Sequence, residues 1–120
     1  MLKMELLEDY GIDTEEGLAC CAEDPEFYEE MIHEFLKESI DRCLNLEKCF
    51  FSQDWSGYAL CTHSIKSTSR MIGAKDLSEA ARELETAAKE GFADTIYESH
   101  ELFLKDYRTL TDELRKITVD

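Results

Sequence analysis

Apolar residues recur along this chain at steps of three and four, with almost no two-residue alternation, so the elements it predicts are helices. A short helix is expected from about Leu2 to Tyr10. A second starts near Asp13-Thr14, where either side chain supplies an N-cap. "EDPEF" is a clearer start signal, with Asp24 as N-cap, Pro25 in the first helical position and glutamates in the first turn. The long helix that follows is expected to bury a stripe of Phe27, Met31, Phe35, Ile40, Cys43, Leu44, Glu47 and Phe51. "SQDW" interrupts it, and Asp54 caps a helix from Trp55 to Ile72 that Gly73 ends. The next helix runs from Ala74 or Asp76 to Glu90, with Leu77, Ala81, Leu84 and Ala88 on one face and Gly91 at its end. The last runs from about Ala93 to Ile117 along a seam of Ile96, His100, Phe103, Tyr107, Leu110, Leu114 and Ile117. Four long amphipathic helices on short connections imply an all-α fold, an antiparallel four-helix bundle capped by the short N-terminal helices. The expected organisation is one domain over residues 1–120, with the cap in 1–22 and the bundle in 24–117.

Composition agrees with this. Helix formers dominate, and one proline and five glycines leave little material for turns. No apolar run approaches the ~20 residues that a membrane span needs, and Met-Leu-Lys-Met-Glu lacks the apolar core of a signal peptide. The five cysteines (Cys20, Cys21, Cys43, Cys49, Cys61) form no C-x-x-C pair, so free thiols in a cytoplasmic protein are expected rather than disulfides or zinc.

Charge narrows the partners. A formal net charge of −15 repels nucleic acid and anionic membranes. It is also uneven. From Ser64 to Glu90, five basic residues (Lys66, Arg70, Lys75, Arg82, Lys89) balance five acidic ones, so the whole negative excess lies elsewhere. The one stretch that suits an anion surrounds His63.

On a helical wheel the apolar face of Trp55–Ile72 centres on Ile65, with Tyr58, Cys61, Ser69 and Ile72 close to it. His63 then points about 160° away, into solvent. Ala59, Lys66, Ser67 and Arg70 share its side, and Leu60 and Met71 flank it as apolar residues where a solvated helix would be polar. An exposed imidazole rimmed by small and apolar residues suits a protein partner. A neutral imidazole is a good nucleophile near neutral pH, and phosphoryl transfer to it needs cations that offset charge on the phosphoryl oxygens. Lys66 is placed to supply the first and Arg70 the second. The other histidines read differently: His100 as a core residue on the last seam, His33 as a solvated one. Trp55 reads as a packing anchor. Glu30-x-x-His33 has the spacing of di-iron bundles, but no second copy exists, so no metal site is expected.

His63-Ser64-Ile65-Lys66-Ser67, followed by Gly73-Ala74, Leu77, Ala81 and Leu84-Glu85, closely resembles the core motif of histidine-containing phosphotransfer (HPt) domains, usually H-x-L-K-G with a glycine some ten residues on. "GIDTEEGL", the acidic stretch before Phe27, the "DW" before the histidine helix and the "ARELE" helix after it fit the same layout, so the resemblance spans most of the chain. It implies a phosphocarrier in which His63 accepts a phosphoryl group at Nε2 and exchanges it with an aspartate of response-regulator receiver domains, supplied directly or through a hybrid histidine kinase. Lys66 matches the family lysine, Gly73 the later glycine, and Glu85 the Gln/Glu position that in many members contacts the imidazole. Glu85 is expected to accept a bond from His63 Nδ1–H. The docking surface is expected to comprise Ala59, Leu60, Ser67, Met71, Gly73 and Arg82, while Arg82 and Lys89 share the outer flank of their helix with Glu85, where a plain solvated face is equally compatible. Ser67 departs from the usual glycine, which bears on affinity or partner choice. No cofactor is implied, since the family's Mg²⁺ belongs to the receiver. No glycine-rich nucleotide motif is present, so the chain is not expected to be a kinase. The rival expectation is an HPt-like interaction module without phosphotransfer.

Overall fold

The computed structural model describes residues 4–118. In chain order they form α1 (Met4–Asp9), α2 (Thr14–Cys20), α3 (Pro25–Ser52), α4 (Trp55–Ile72), α5 (Lys75–Glu90) and α6 (Ala93–Thr118), with no strand among them. The expected beginning of the first helix at Leu2 lies outside the described residues. Helix starts follow local capping chemistry: the carboxylates of Asp13, Asp24 and Asp54 accept hydrogen bonds from the backbone N–H of Glu16, Glu26 and Gly57, each at 3.0 Å. Gly73 and Gly91 end α4 and α5 in the left-handed conformation, at φ 86° and 77°. At the end of α3 the same role falls to Gln53, at φ 56°.

The long helices α3–α6 form the antiparallel bundle. Its core takes Tyr28, Ile32, Phe35 and Leu46 from α3, Tyr58, Ile65 and Ile72 from α4, Leu77, Ala81 and Leu84 from α5, and Ile96, Phe103, Tyr107 and Leu114 from α6. Full burial of each large apolar side chain stabilises the fold by roughly 1.5–3 kcal/mol.

On α3 the expected stripe is corrected. Phe27, Ile40, Leu44 and Phe51 are exposed, and the buried row is Tyr28, Ile32, Phe35, Leu36, Ser39, Cys43 and Leu46. Apolar residues occupy more than one side of this helix, so three- and four-residue steps can be drawn through either set. Each choice costs one polar position, Glu47 in the expected stripe and Ser39 in the real one. Ser39 is tolerated inside because its Oγ bonds the Leu36 carbonyl at 2.8 Å and accepts from Arg115 Nη2 at 2.8 Å.

The N-terminal helices close the far end of α4. The last carbonyls of a helix lack partners within it, and here the cap and the first turn of α3 supply them. Asp13 N–H donates to Gly73 O at 2.8 Å, Tyr28 Oη–H to Ile72 O at 2.7 Å, and Cys21 Sγ–H to Met71 O at 3.8 Å. The approach is close enough that a side chain at Gly73 would strike the Asp13 carbonyl, and one at Gly17 would strike the Tyr28 ring and the Ile72 carbonyl. Both glycines are therefore needed where cap and bundle meet.

Candidate functional site

The α4–α5 pair builds the site. Ala81, Ala87 and Ala88 present only methyl groups on the buried face of α5, and small side chains at a helix contact let the axes approach. Ser78 Oγ–H donates to Lys66 O at 2.9 Å, which pins the antiparallel register. One helical turn back along α4 and two forward along α5, the same register sets His63 against Glu85.

His63 is exposed over 56% of its side chain, and its Nδ1 lies 2.9 Å from Glu85 Oε2. Glu85, expected on an outer flank, is instead buried, with 5% of its side chain exposed. The face of α5 covered by α4 and α6 is wide enough to include it along with Leu84 and Ala88. Three donors surround its carboxylate: Lys66 Nζ at 2.7 Å from Oε1, Lys89 Nζ at 2.8 Å from Oε2, and the imidazole. Burial alone would raise the Glu85 pKa, but the bonds from Lys66, Lys89 and His63 overturn that and bring it down to about 2. Glu85 is thus ionised throughout the range in which an imidazole is neutral. An ionised carboxylate only accepts, so Nδ1 carries the ring proton and the lone pair resides on Nε2. Among the described residues no hydrogen bond reaches Nε2. With the ring neutral, Glu85, Lys66 and Lys89 together carry one net positive charge.

Two shallow concavities flank α4 here. The first, of about 490 Å³, is lined by Ser56, Ala59, Leu60, His63, Glu85 and Lys89. The second, of about 520 Å³, is lined by Lys66, Ser67, Arg70, Lys75, Ser78 and Arg82 with Glu16, Asp76 and Glu79. This division sorts the expected residues. Leu60 stands exposed beside His63, and Ala59 is buried to form the floor next to it. Ser67 is exposed, with its Oγ–H donating back to His63 O at 3.1 Å. Arg70, expected as the second cation, lies on the wall of the other concavity, away from His63. Arg82 shares that wall and pairs with Glu79, while Lys75 there is held by Asp13 at 2.9 Å and reaches Glu16 at 3.9 Å.

Two expected docking residues are corrected. Gly73 is buried under the Asp13 backbone and serves as the cap of α4. Met71 is half-buried and turns toward α3, in a groove with Met31, Phe35 and Thr68; the wheel angle placed it near His63, but α3 covers that flank of α4. The missed residue is Lys89. Its i,i+4 spacing from Glu85 was the available signal, but only the burial of Glu85 gives that spacing a consequence.

The remaining histidines differ from His63. His100 is buried, with Nδ1 2.9 Å from Tyr58 Oη and its ring stacked on Phe50 at a centroid distance of 3.8 Å. His33 is exposed, 3.8 Å from Glu29. Among the described residues no group of three or more His, Cys, Asp or Glu side chains is arranged to hold a metal ion, and no helix is long and apolar enough to cross a membrane. All five cysteines are unbridged, and burial pushes the Cys61 thiol up to about 11, which leaves it protonated and unreactive.

Comparison with known proteins agrees with this geometry. A search of curated proteins and a search of solved structures each returned no match. A family model described as the Hpt domain matches residues 30–117, from early in α3 to the penultimate residue of α6, and so takes in the entire bundle site. The chain therefore belongs to the Hpt domain family.

Proposed function

We propose that this protein is a phosphohistidine carrier that passes a phosphoryl group between His63 Nε2 and the aspartate of receiver domains in a multistep phosphorelay, without a kinase site of its own. The observation that carries this reading is the exposed imidazole whose Nδ1–H is held by a buried, ionised Glu85. In the forward step the Nε2 lone pair attacks the phosphorus of an aspartyl phosphate. The N–P bond forms as the P–O bond breaks, the electron pair leaves with the aspartate carboxylate, and no proton moves. Because Nδ1 keeps its hydrogen, the phosphorylated ring carries a positive charge, which the adjacent Glu85 carboxylate stabilises. That charge also keeps the N–P bond labile, as a carrier requires. Lys66, fixed against Glu85 with 28% of its side chain exposed, adds positive charge beside the phosphoryl oxygens. The partner's own acidic pocket supplies the metal. Free thiols are consistent with a cytoplasmic setting for such a relay.

Intact-mass spectrometry after incubation with phosphoramidate tests the reading, with His63→Gln alongside. An acid-labile, alkali-stable phosphoryl adduct on the wild type alone is the expected result. No adduct from either phosphoramidate or a phosphorylated receiver would reject the carrier reading in favour of a docking module.

A further inference from the structure

Resting on the carrier reading, we infer that Lys89 is the second cation of the phosphoryl site: it leaves Glu85 for the phosphoryl oxygens when Nε2 becomes bonded to phosphorus. Three observations converge on it. Of the basic side chains among the described residues, Lys89 is the one that shares the His63 concavity, whereas Lys66, Arg70, Lys75 and Arg82 line the other. Its Nζ sits 2.8 Å from Glu85 Oε2, the same oxygen that accepts from the imidazole, so it already stands beside the ring. Its side chain is 63% exposed, against 28% for Lys66, so turning it costs little burial.

The charge balance calls for this second cation. Before reaction Glu85, Lys66 and Lys89 sum to one positive charge. A dianionic phosphoryl group on a cationic ring arrives close to the Glu85 carboxylate and is repelled by it. Lys66 on Oε1 continues to neutralise Glu85, and the imidazolium N–H remains on Oε2. Lys89 is thereby released to bind phosphate, as a flexible stem with three rotatable donors can. Arg70 lines the other concavity, two helical turns along α4 from His63, whereas Lys89 already stands at Glu85 Oε2.

The test compares rates of phosphoryl uptake from phosphoramidate for the full chain and for Lys89→Gln, Lys89→Arg and Arg70→Gln. Nitrogen-15 NMR of the His63 ring is recorded for each. With Lys89 on the phosphoryl group, Lys89→Gln lowers uptake about tenfold, Lys89→Arg recovers it to within about threefold, Arg70→Gln stays within about twofold, and the His63 tautomer is the same in all four. Wild-type uptake in Lys89→Gln overturns the assignment, as does a loss that falls on Arg70→Gln instead. A Lys89→Gln defect accompanied by loss of the Nδ1–H tautomer also overturns it, because the lysine would then act only by positioning Glu85. Absence of uptake by the wild type itself would overturn the carrier reading and this assignment with it, and is told apart by failing in all four proteins alike.

Discussion

His63 and His100 are the same side chain, each bonded through Nδ1 at 2.9 Å, yet they sit in opposite environments. His63 lies on the outer side of α4 against an ionised carboxylate, with its other nitrogen toward solvent. His100 is buried on α6 against a neutral phenol, stacked on Phe50 and tilted against Tyr58, with Trp55 and Tyr97 packed against Phe50 in the same aromatic cluster. A charged acceptor fixes a tautomer and stabilises a cationic ring, which suits the proposed nucleophile. A neutral hydroxyl in an apolar surround stabilises only the uncharged ring, so it makes a packing unit. Burial lowers the His100 pKa, slightly opposed by Glu47 and Glu101. The partner and the exposure, rather than the imidazole, decide the role.

The largest expected effect separates the two directly. His63→Gln abolishes the phosphoryl adduct and leaves the unfolding free energy within about 0.5 kcal/mol. His100→Ala keeps the adduct under native conditions and costs about 3 kcal/mol in urea denaturation, through the cavity beside Phe50 and the orphaned Tyr58 hydroxyl. An exchange of these outcomes would break the comparison. Next in size, Tyr58→Phe leaves the buried His100 Nδ1 without its partner and costs about 1–2 kcal/mol. Adding His100→Phe to it should be less than additive, because the two groups satisfy each other.

A pH series sharpens the same contrast. The folded protein binds a proton at His100 less readily than the unfolded chain does, so this histidine's contribution is fully present above the unfolded pKa of about 6.5 and is lost as pH falls below it. Wild type should therefore lose stability relative to His100→Phe as the pH is lowered through the ordinary imidazole range, read as the difference between their urea midpoints. An equal pH slope in the two proteins would show that His100 does not stay neutral. The smallest effect is expected at Phe51, which is exposed although it was a candidate for the core stripe. Phe51→Ser should change stability by no more than about 0.5 kcal/mol, and a larger loss would reinstate the expected register of α3.

Much of α4–α6 was legible from local signals: Asp54 and Gly73 bracket α4, Gly91 ends α5, and Ile96, His100, Phe103, Tyr107 and Leu114 mark the seam of α6, although Leu104 and Thr111 join it and Leu110 and Ile117 are only half-buried. Helix α3 was not, because apolar residues on two sides make its period ambiguous until α4 and α6 occupy one of them. The site divides in the same way. His63 and Lys66 were visible because exposure and i,i+3 spacing belong to one helix. Gly73 was visible as a helix end, but the cap that buries it comes from residues some sixty positions earlier.

The sequence by itself determined where helices start and stop, which histidine faces out, and the uneven charge that spares its surroundings, since each follows from short-range spacing. Only the tertiary structure decided that Glu85 is buried yet ionised, that Lys89 rather than Arg70 stands beside the imidazole, and that Met71 and Gly73 belong to packing. Those outcomes depend on the register and closeness of α4 against α5 and on which flank α3 covers. Helix periodicity gives the direction of each side chain from its own axis, but it carries no information on what lies opposite.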